Sequence, residues 1–579
     1  MAARSGRRRR PWLAAFVVSV ACFAASLGVL ALVLLDIITG TGSTTVADAT
    51  PGPTTRLRYR GTLPAGLPAA EFEPAPAGGE ADLEFLPVEA GGVTLRYFAL
   101  VTGLAAGVDA LTGEQLRALL AGEITSWEQA GGLAREAAFA LAGPPADRAL
   151  ARHFAGGAPA RHEFDSYEEL RAAMAANPGL FAFVPLAEVS PAQSAIAIDG
   201  LDIVRGRGDP GTWPFAERVA VAGGSARGRE ALAGIISRLE EKLPPVTVVV
   251  ATGDILQSRC TLAMIEASGD WAYALRGATG EYLAAADLAL GSLDGSIQDI
   301  NPVYRCVETT NLSSPPRVLE ALKLAGIDAV TVATNHVFDC GIEYCGERAF
   351  LRTLELLGEA GIAHVGGGKN LEGALSPAIF EVNGVRFGVL GFDDVAAMDL
   401  EATATEPGTA PLDDDYSEER RANEPAFFRP ASELSVTRFT ERIRRLKEEV
   451  DVVIVQVQTG TEDTHDPTER SIKALRAAAE AGAGLVVGNQ AHWVQAAEVR
   501  DGTFIAYALG NFIFDQRHSP EHEQGYLLEA AFRGKTLVNV RMLPYRIAGQ
   551  AKPVFVSGEE RVKILGDVFD AAGRLPSAP

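Results

Sequence analysis

Apolar residues recur along this chain with three different spacings, and each predicts a different element. The first is a continuous run, Trp12 to Leu35, with no charge in it and with Arg4 and Arg7 to Arg10 on one flank only. As a helix its residues would span roughly 36 Å at about 1.5 Å each, enough for a bilayer core. That is longer than the apolar heart of a cleaved signal peptide, the competing reading. The arginines on its N-terminal side predict a cytoplasmic tail (1–11), a single-pass membrane anchor (12–38) and an extracytoplasmic remainder. A Thr-, Gly- and Pro-containing spacer (39–56) follows.

Beyond the spacer the spacing alternates between two-residue and helical periods. Val93 to Val101 and Leu180 to Pro185 read as strands, and Thr112 to Ala121 and Ala226 to Lys242 as helices. The double proline Pro244-Pro245 stops the last helix and marks a boundary between a first α/β domain (57–243) and a second (246–560). In the second domain, strands are predicted at 246–253, 286–292, 327–333, 451–458, 484–488 and 503–509. Asn383-Gly384 predicts a two-residue hairpin turn between 378–382 and 385–390. One helix is predicted with Ser314 as N-cap, Pro315 in its first turn and Gly326 past its end. Another is expected to start at Asp466-Pro467-Thr468-Glu469 with an aspartate cap and to stop at Gly482. The acidic, Pro-containing stretch 403–425 reads as a surface insertion.

Charge narrows the partners. The formal net charge is −22, so no counterion release from phosphates would drive nucleic-acid binding. Of five cysteines, Cys22 lies in the apolar run and four lie in the second domain. An even count outside the cytoplasm predicts disulfides. Four cysteines allow three pairings, of which Cys260–Cys306 and Cys340–Cys345 is the one expected; four buried thiols is the competing reading.

Candidate chemistry gathers just past the predicted strand ends. Val250-Ala-Thr-Gly-Asp254 and Leu288-Ala-Leu-Gly-Ser-Leu-Asp294 end in carboxylates. Val332-Ala-Thr-Asn335-His336 ends in an amide and an imidazole, Val455-Gln-Val-Gln458 in an amide, and Val486-Val-Gly-Asn-Gln490-Ala-His492 in amides and an imidazole. Ala508-Leu-Gly-Asn511 adds another amide. Ligand sites of open α/β sheets lie in the crevice outside such ends. A lone Asp after a strand is usually a helix cap, but five strand ends offering O or N donors predict a shared site.

The wording of these segments resembles the CapA (poly-γ-glutamate capsule synthesis) family over about 247–518. Thr252-Gly-Asp-Ile255, Ala286 to Asp294, Ala325 to Gly341, Thr353-Leu-Glu-Leu-Leu with Gly366-Gly-Gly-Lys-Asn370, and Tyr507-Ala-Leu-Gly-Asn-Phe512 carry the likeness. It implies a four-layer α/β/β/α metallophosphatase-like sandwich and a role in making, exporting or anchoring the polymer at the membrane. Around residues 90–220, Leu111 to Gly132 together with Phe181-Ala-Phe-Val-Pro185 and Asp199-Gly200 resembles phosphate-type periplasmic binding proteins, although Leu141-Ala-Gly-Pro-Pro145 stands in place of their Ser-Gly-Thr loop. Within the CapA likeness, Asp294 replaces a usual Glu, Thr334 an Asn, and Gln458 and Gln490 two histidines.

The resulting ligand set, Asp254, Asp294, Asn335, Gln458, Gln490 and His492, is rich in oxygen. It suits one Mn or Mg ion, or Ca, better than Zn. His336 is the expected general acid, with Asp339 fixing its tautomer if a helix there puts both on one face. Glu462 and Asn511 are expected behind the ligands or against substrate, and His465, His518 and His522 at the surface. The functions to weigh are a cell-surface metal-dependent hydrolase or transferase acting on a phosphoester or anionic polymer, a non-catalytic assembly protein contacting polymer-synthase membrane subunits, and solute capture by 57–243.

Overall fold

The computed structural model describes residues 56–577 except 90, 397–399 and 415–430. The expected tail and anchor, Cys22, and part of the acidic insertion lie outside the described residues. Among those described, no helix is long and apolar enough to cross a membrane. The molecule is a mixed α/β protein.

The second domain is built on two sheets. In one, strands Ala363–Val365, Ala329–Thr331, Leu288–Leu293 and Val246–Ile255 lie side by side in parallel; Gln524–Arg533, Thr536–Ala548 and Lys552–Phe555 continue it antiparallel. In the other, Val385–Asp393, Val452–Gln458, Leu485–Asn489 and Thr503–Ala506 are parallel, with antiparallel edges at Ala378–Val382 and Ala497–Arg500. The Asn383-Gly384 hairpin forms as the sequence predicts.

The apolar runs of these strands explain the layering. Side chains alternate faces along a strand, and a strand apolar on both faces must be covered twice. Val249 and Ala251 point into a core shared with Phe387, Val389, Ile454 and Phe504 of the other sheet. Val250, between them, packs outward with Leu262, Ile265, Phe350 and Leu357 of helices Arg259–Ser268 and Glu347–Ala360. Val453 and Val455 likewise face Phe439, Ile443 and Leu475 of helices Thr437–Glu449 and Glu469–Glu480. Two sheets thus meet face to face with helices outside both.

Two predicted helix starts are displaced. Ser314 is paired as a strand residue with Ile297, and a 3-10 turn at Pro316–Val318 leads into helix Leu319–Leu324. Pro316, two residues after Ser314, lacks the N–H that a serine cap would bond at that position. Thr468, not Asp466, caps helix Glu469–Glu480 through the Ser471 amide; Asp466 pairs with Arg574 instead.

The first domain carries its own mixed sheet, in which Val93–Gly103 and Ala216–Gly223 are central, flanked by helices that include Pro145–Phe154 and Ala226–Leu239. It is fastened to the second by buried ions. Arg205 and Glu529 are 1% and 0% exposed and lie 3.0 Å apart. Arg205 also pairs with Asp202, and Glu529 also meets Arg207 and the Tyr282 hydroxyl. Nearby, Arg541 pairs with Asp109, and Asn539 Nδ2 donates to the Gln193 carbonyl at 2.7 Å. Removing one partner of a buried pair leaves an uncompensated charge. Glu529→Ala is therefore expected to lower unfolding free energy by roughly 3–5 kcal/mol, measured by denaturant titration with the buried Trp127 and Trp213 of the first domain as probes.

Candidate metal centre

The site is assembled where the two sheets open at their C-terminal ends. Strand Val246–Ile255 brings Asp254. The chain then crosses between sheets: after Thr503–Ala506 in one, it joins the other as Asn511–Ile513, with Asn511 in register with Asp254. This crossing needs a glycine at 253, since a Cβ there would sit 1.8 Å from the Gly510 carbonyl oxygen. The Thr-Gly-Asp motif is thus a packing requirement as well as a chemical one.

Three side chains from separate segments converge. Ligating atoms of Asp254, Asp294 and His492 all lie within 4.8 Å of one another, and all three residues are buried. The Ser292 hydroxyl donates to Asp254 Oδ1 at 2.9 Å, and the Gln490 amide N–H lies 3.4 Å from Asp254 Oδ2. Both Asp294 oxygens, Asn335 Oδ1 and Gln458 Oε1 are buried without a hydrogen-bond partner. Buried polar atoms are rarely left so. All four are acceptors, so a cation or a donor would satisfy them. A donor set of carboxylates, amide oxygens and one imidazole fits a hard divalent ion.

Electrostatics point the same way. Burial, with the neighbouring Asp294 charge, pushes the Asp254 carboxyl well above its usual range. Burial also raises Asp294, against the opposing pull of His336. Burial pushes His492 down to about 3, so its imidazole is neutral. Its tautomer is set from outside: Asn511 Nδ2 donates to Gln516 Oε1 at 2.9 Å and to the His522 carbonyl at 3.1 Å. Asn511 Oδ1 therefore faces His492 Nδ1, 2.8 Å away, and takes its N–H. Nε2 keeps the lone pair, 4.0 Å from Glu462 Oε1.

His336 and Asp339 meet, but not on a helix. A tight turn, closed by the Asp339 N–H on the His336 carbonyl at 3.1 Å, brings His336 Nδ1 to 2.8 Å from Asp339 Oδ2. The same carboxylate oxygen accepts the Leu312 amide at 2.6 Å. Burial disfavours the imidazolium, yet the Asp339 bond and the Asp294 charge outweigh it and the His336 pKa is raised. Both expected disulfides form. Cys340–Cys345 closes the loop after this turn, and Cys260–Cys306 anchors the helix that follows Asp254.

Gln458 and Gln490 are also present, but in unequal states. Gln458 Nε2 donates to Gln490 Oε1 at 2.8 Å, so the Gln490 oxygen is engaged, whereas Gln458 Oε1 is not. His522, expected at the surface, is buried, with Nε2 2.7 Å from Asp463 Oδ1 and Trp493 Nε1 3.4 Å from its Nδ1. His465 is half-buried, its Nδ1 2.7 Å from the Val494 carbonyl, and His518 is exposed. Arg259 escaped the sequence reading. Its guanidinium lies over the Phe514 ring at 5.9 Å, and His492 packs on the same ring at 5.0 Å. Backbone strain marks the same place: Arg259, Gln490 and His492 have φ of 47°, 102° and 57°, a region non-glycine residues occupy at a cost of about 1–3 kcal/mol.

In chelator-treated protein the raised Asp254 pKa has a definite sign. A carboxyl that holds its proton more tightly when folded adds stability at low pH and loses it as pH rises from the unfolded value toward the folded one. Asp254→Asn is therefore expected to melt above the parent at pH 8, with the gap closing toward pH 4, as read by thermal denaturation.

Residues 248–516 match the family described as bacterial capsule synthesis protein PGA_cap. The capsule biosynthesis protein CapA of Bacillus anthracis is 26% identical over 346 residues, covering 59% of this chain and 76% of that protein. The PGA biosynthesis protein CapA of Bacillus subtilis (strain 168) is 28% identical over 265 residues, covering 46% of this chain and 62% of that protein. Among solved structures, an ABC-type phosphate transport receptor from Vibrio cholerae is 17% identical, covers 28% of this chain and 77% of its own, and superposes with a TM-score of 0.24. Residues 248–516, the segment that carries Asp254, Asp294 and His492, are thus similar to the CapA-type bacterial capsule synthesis (PGA_cap) family.

Proposed function

We propose that this chain is a cell-envelope component of capsule or poly-γ-glutamate biosynthesis, held at the membrane by its N-terminal segment, whose C-terminal module binds one hard divalent cation, Mn or Mg. One observation carries the reading of the module: ligating atoms of the buried Asp254, Asp294 and His492 lie within 4.8 Å of one another, and both Asp294 oxygens, Asn335 Oδ1 and Gln458 Oε1 lack a partner. The biological setting rests on the two CapA relatives.

A cation held by these residues would polarise a phosphoester or acyl oxygen. The chain's own residues supply the rest. Asp339 holds the His336 Nδ1 proton, which leaves Nε2 to carry and release the acid proton. His336 is partly exposed and borders the pocket mouth with Glu462, whose own pKa is raised by burial and by Asp463. An anionic polymer can approach so acidic a mouth only with the cation in place.

A non-catalytic role in polymer assembly, through contact with synthase subunits, is favoured by the Gln458–Gln490 pairing, which ties up an oxygen that could otherwise ligate. In the first domain, Asp147 occupies the first turn of helix Pro145–Phe154 and is bonded by Arg96 and Tyr167. That helix start already has its anion, which supports a scaffold role over anion capture.

With Mn or Mg, the purified chain is expected to hydrolyse phosphoesters. His336→Ala should cut turnover by at least about a hundredfold while leaving metal content unchanged. Metal bound without turnover, with no effect of His336→Ala, would leave the assembly role as the better reading.

A further inference from the structure

The two glutamines of the centre hang from a single external carboxylate. Glu462 is half-exposed, and its Oε1 lies 3.3 Å from Gln490 Nε2. An ionised carboxylate only accepts hydrogen bonds, whereas a primary amide has one end that donates and one that accepts. Glu462 therefore settles which end of Gln490 faces it: the NH2. The Gln490 oxygen must then face inward, where it takes the Gln458 NH2 at 2.8 Å. Gln458, its NH2 engaged in turn, is left with a bare carbonyl oxygen, buried and without a partner. The Gln458 NH2 also lies against the Asp254 carboxylate. Reversing the outer amide would reverse the inner one and put NH2 where the unpartnered, buried Gln458 oxygen now stands.

We propose that Glu462 is a positioning residue that fixes the polarity of the Gln490–Gln458 amide pair, so that Gln458 ligates a divalent cation through Oε1 while Gln490 does not ligate at all. This rests on the proposed metal centre and deepens it. The hydrogen-bond order, not the residue type, separates the two glutamines. A pair ordered in this way supplies one ligand where the two glutamines could supply two, which favours a single ion.

The experiment is a Mn²⁺ titration of the full-length protein by calorimetry at neutral pH, with Glu462→Gln, Gln490→Gly and the double variant. Glycine suits position 490, whose φ is 102°, so folding is not at stake. Gln490→Gly removes the relay and leaves the Glu462 charge. The parent is expected to bind one equivalent. Each single variant should raise Kd by about tenfold, the size usual for the partner of a ligand, and the double variant should add little more. Glu462→Gln weakening binding while Gln490→Gly stays within twofold of the parent would overturn the relay, with Glu462 acting through charge alone. Two equivalents in the parent would also overturn it. No binding by the parent would instead overturn the metal reading itself, a different outcome from intact binding insensitive to both substitutions.

Discussion

Asp254 and Asp294 are two carboxylates taken out of water and set beside a neutral histidine, with too few protein donors around them. Like charges in a buried site repel, and desolvation adds to the cost. Ser292 and one backbone amide touch Asp254, while Asp294 has no hydrogen-bond partner. In the proposed reading, a divalent ion would offset that cost. The rest of the module makes sense as the frame that keeps this pair together: two sheets pressed face to face, their parallel strands ending at one edge, and a chain crossing that pins Asn511 beside Asp254.

Around that pair the polar groups are arranged with a direction. His522 and Gln516 orient Asn511, Asn511 orients His492, and in this way a neutral imidazole keeps its lone pair on Nε2. Glu462 does the same for the glutamines. Asp339, itself held by the Leu312 amide, does it for His336. Each inner group is ordered by an outer one that has only one way to bond. Such orientation is inexpensive to maintain once the backbone is fixed, and the strained φ values at Arg259, Gln490 and His492 show backbone geometry yielding to the placement of side chains.

The buried ion contacts between the domains have another consequence. Arg205, Glu529, Arg541 and Asp109 bind the first domain to strands Gln524–Arg533 and Thr536–Ala548, which extend the sheet that carries Asp254. The first domain therefore braces the sheet that carries Asp254.

Much of this was legible in the residue order. Apolar runs gave strands of the two sheets and Asn383-Gly384 the hairpin, and the donors past the predicted strand ends include Asp254, Asp294 and His492, which the fold brings together. These are local signals: a strand's two faces, a turn's backbone needs and a residue's donor atoms are written in adjacent positions. What the tertiary structure alone decided were relations between distant segments. It closed the His336–Asp339 contact with a turn rather than a helix, buried His522, moved the cap of helix Glu469–Glu480 to Thr468, brought in Arg259 through a shared aromatic ring, and made Gln458 and Gln490 unequal. Those outcomes depend on which hydrogen-bond partner arrives across the fold, and a one-dimensional sequence does not specify that direction until its sheets are packed.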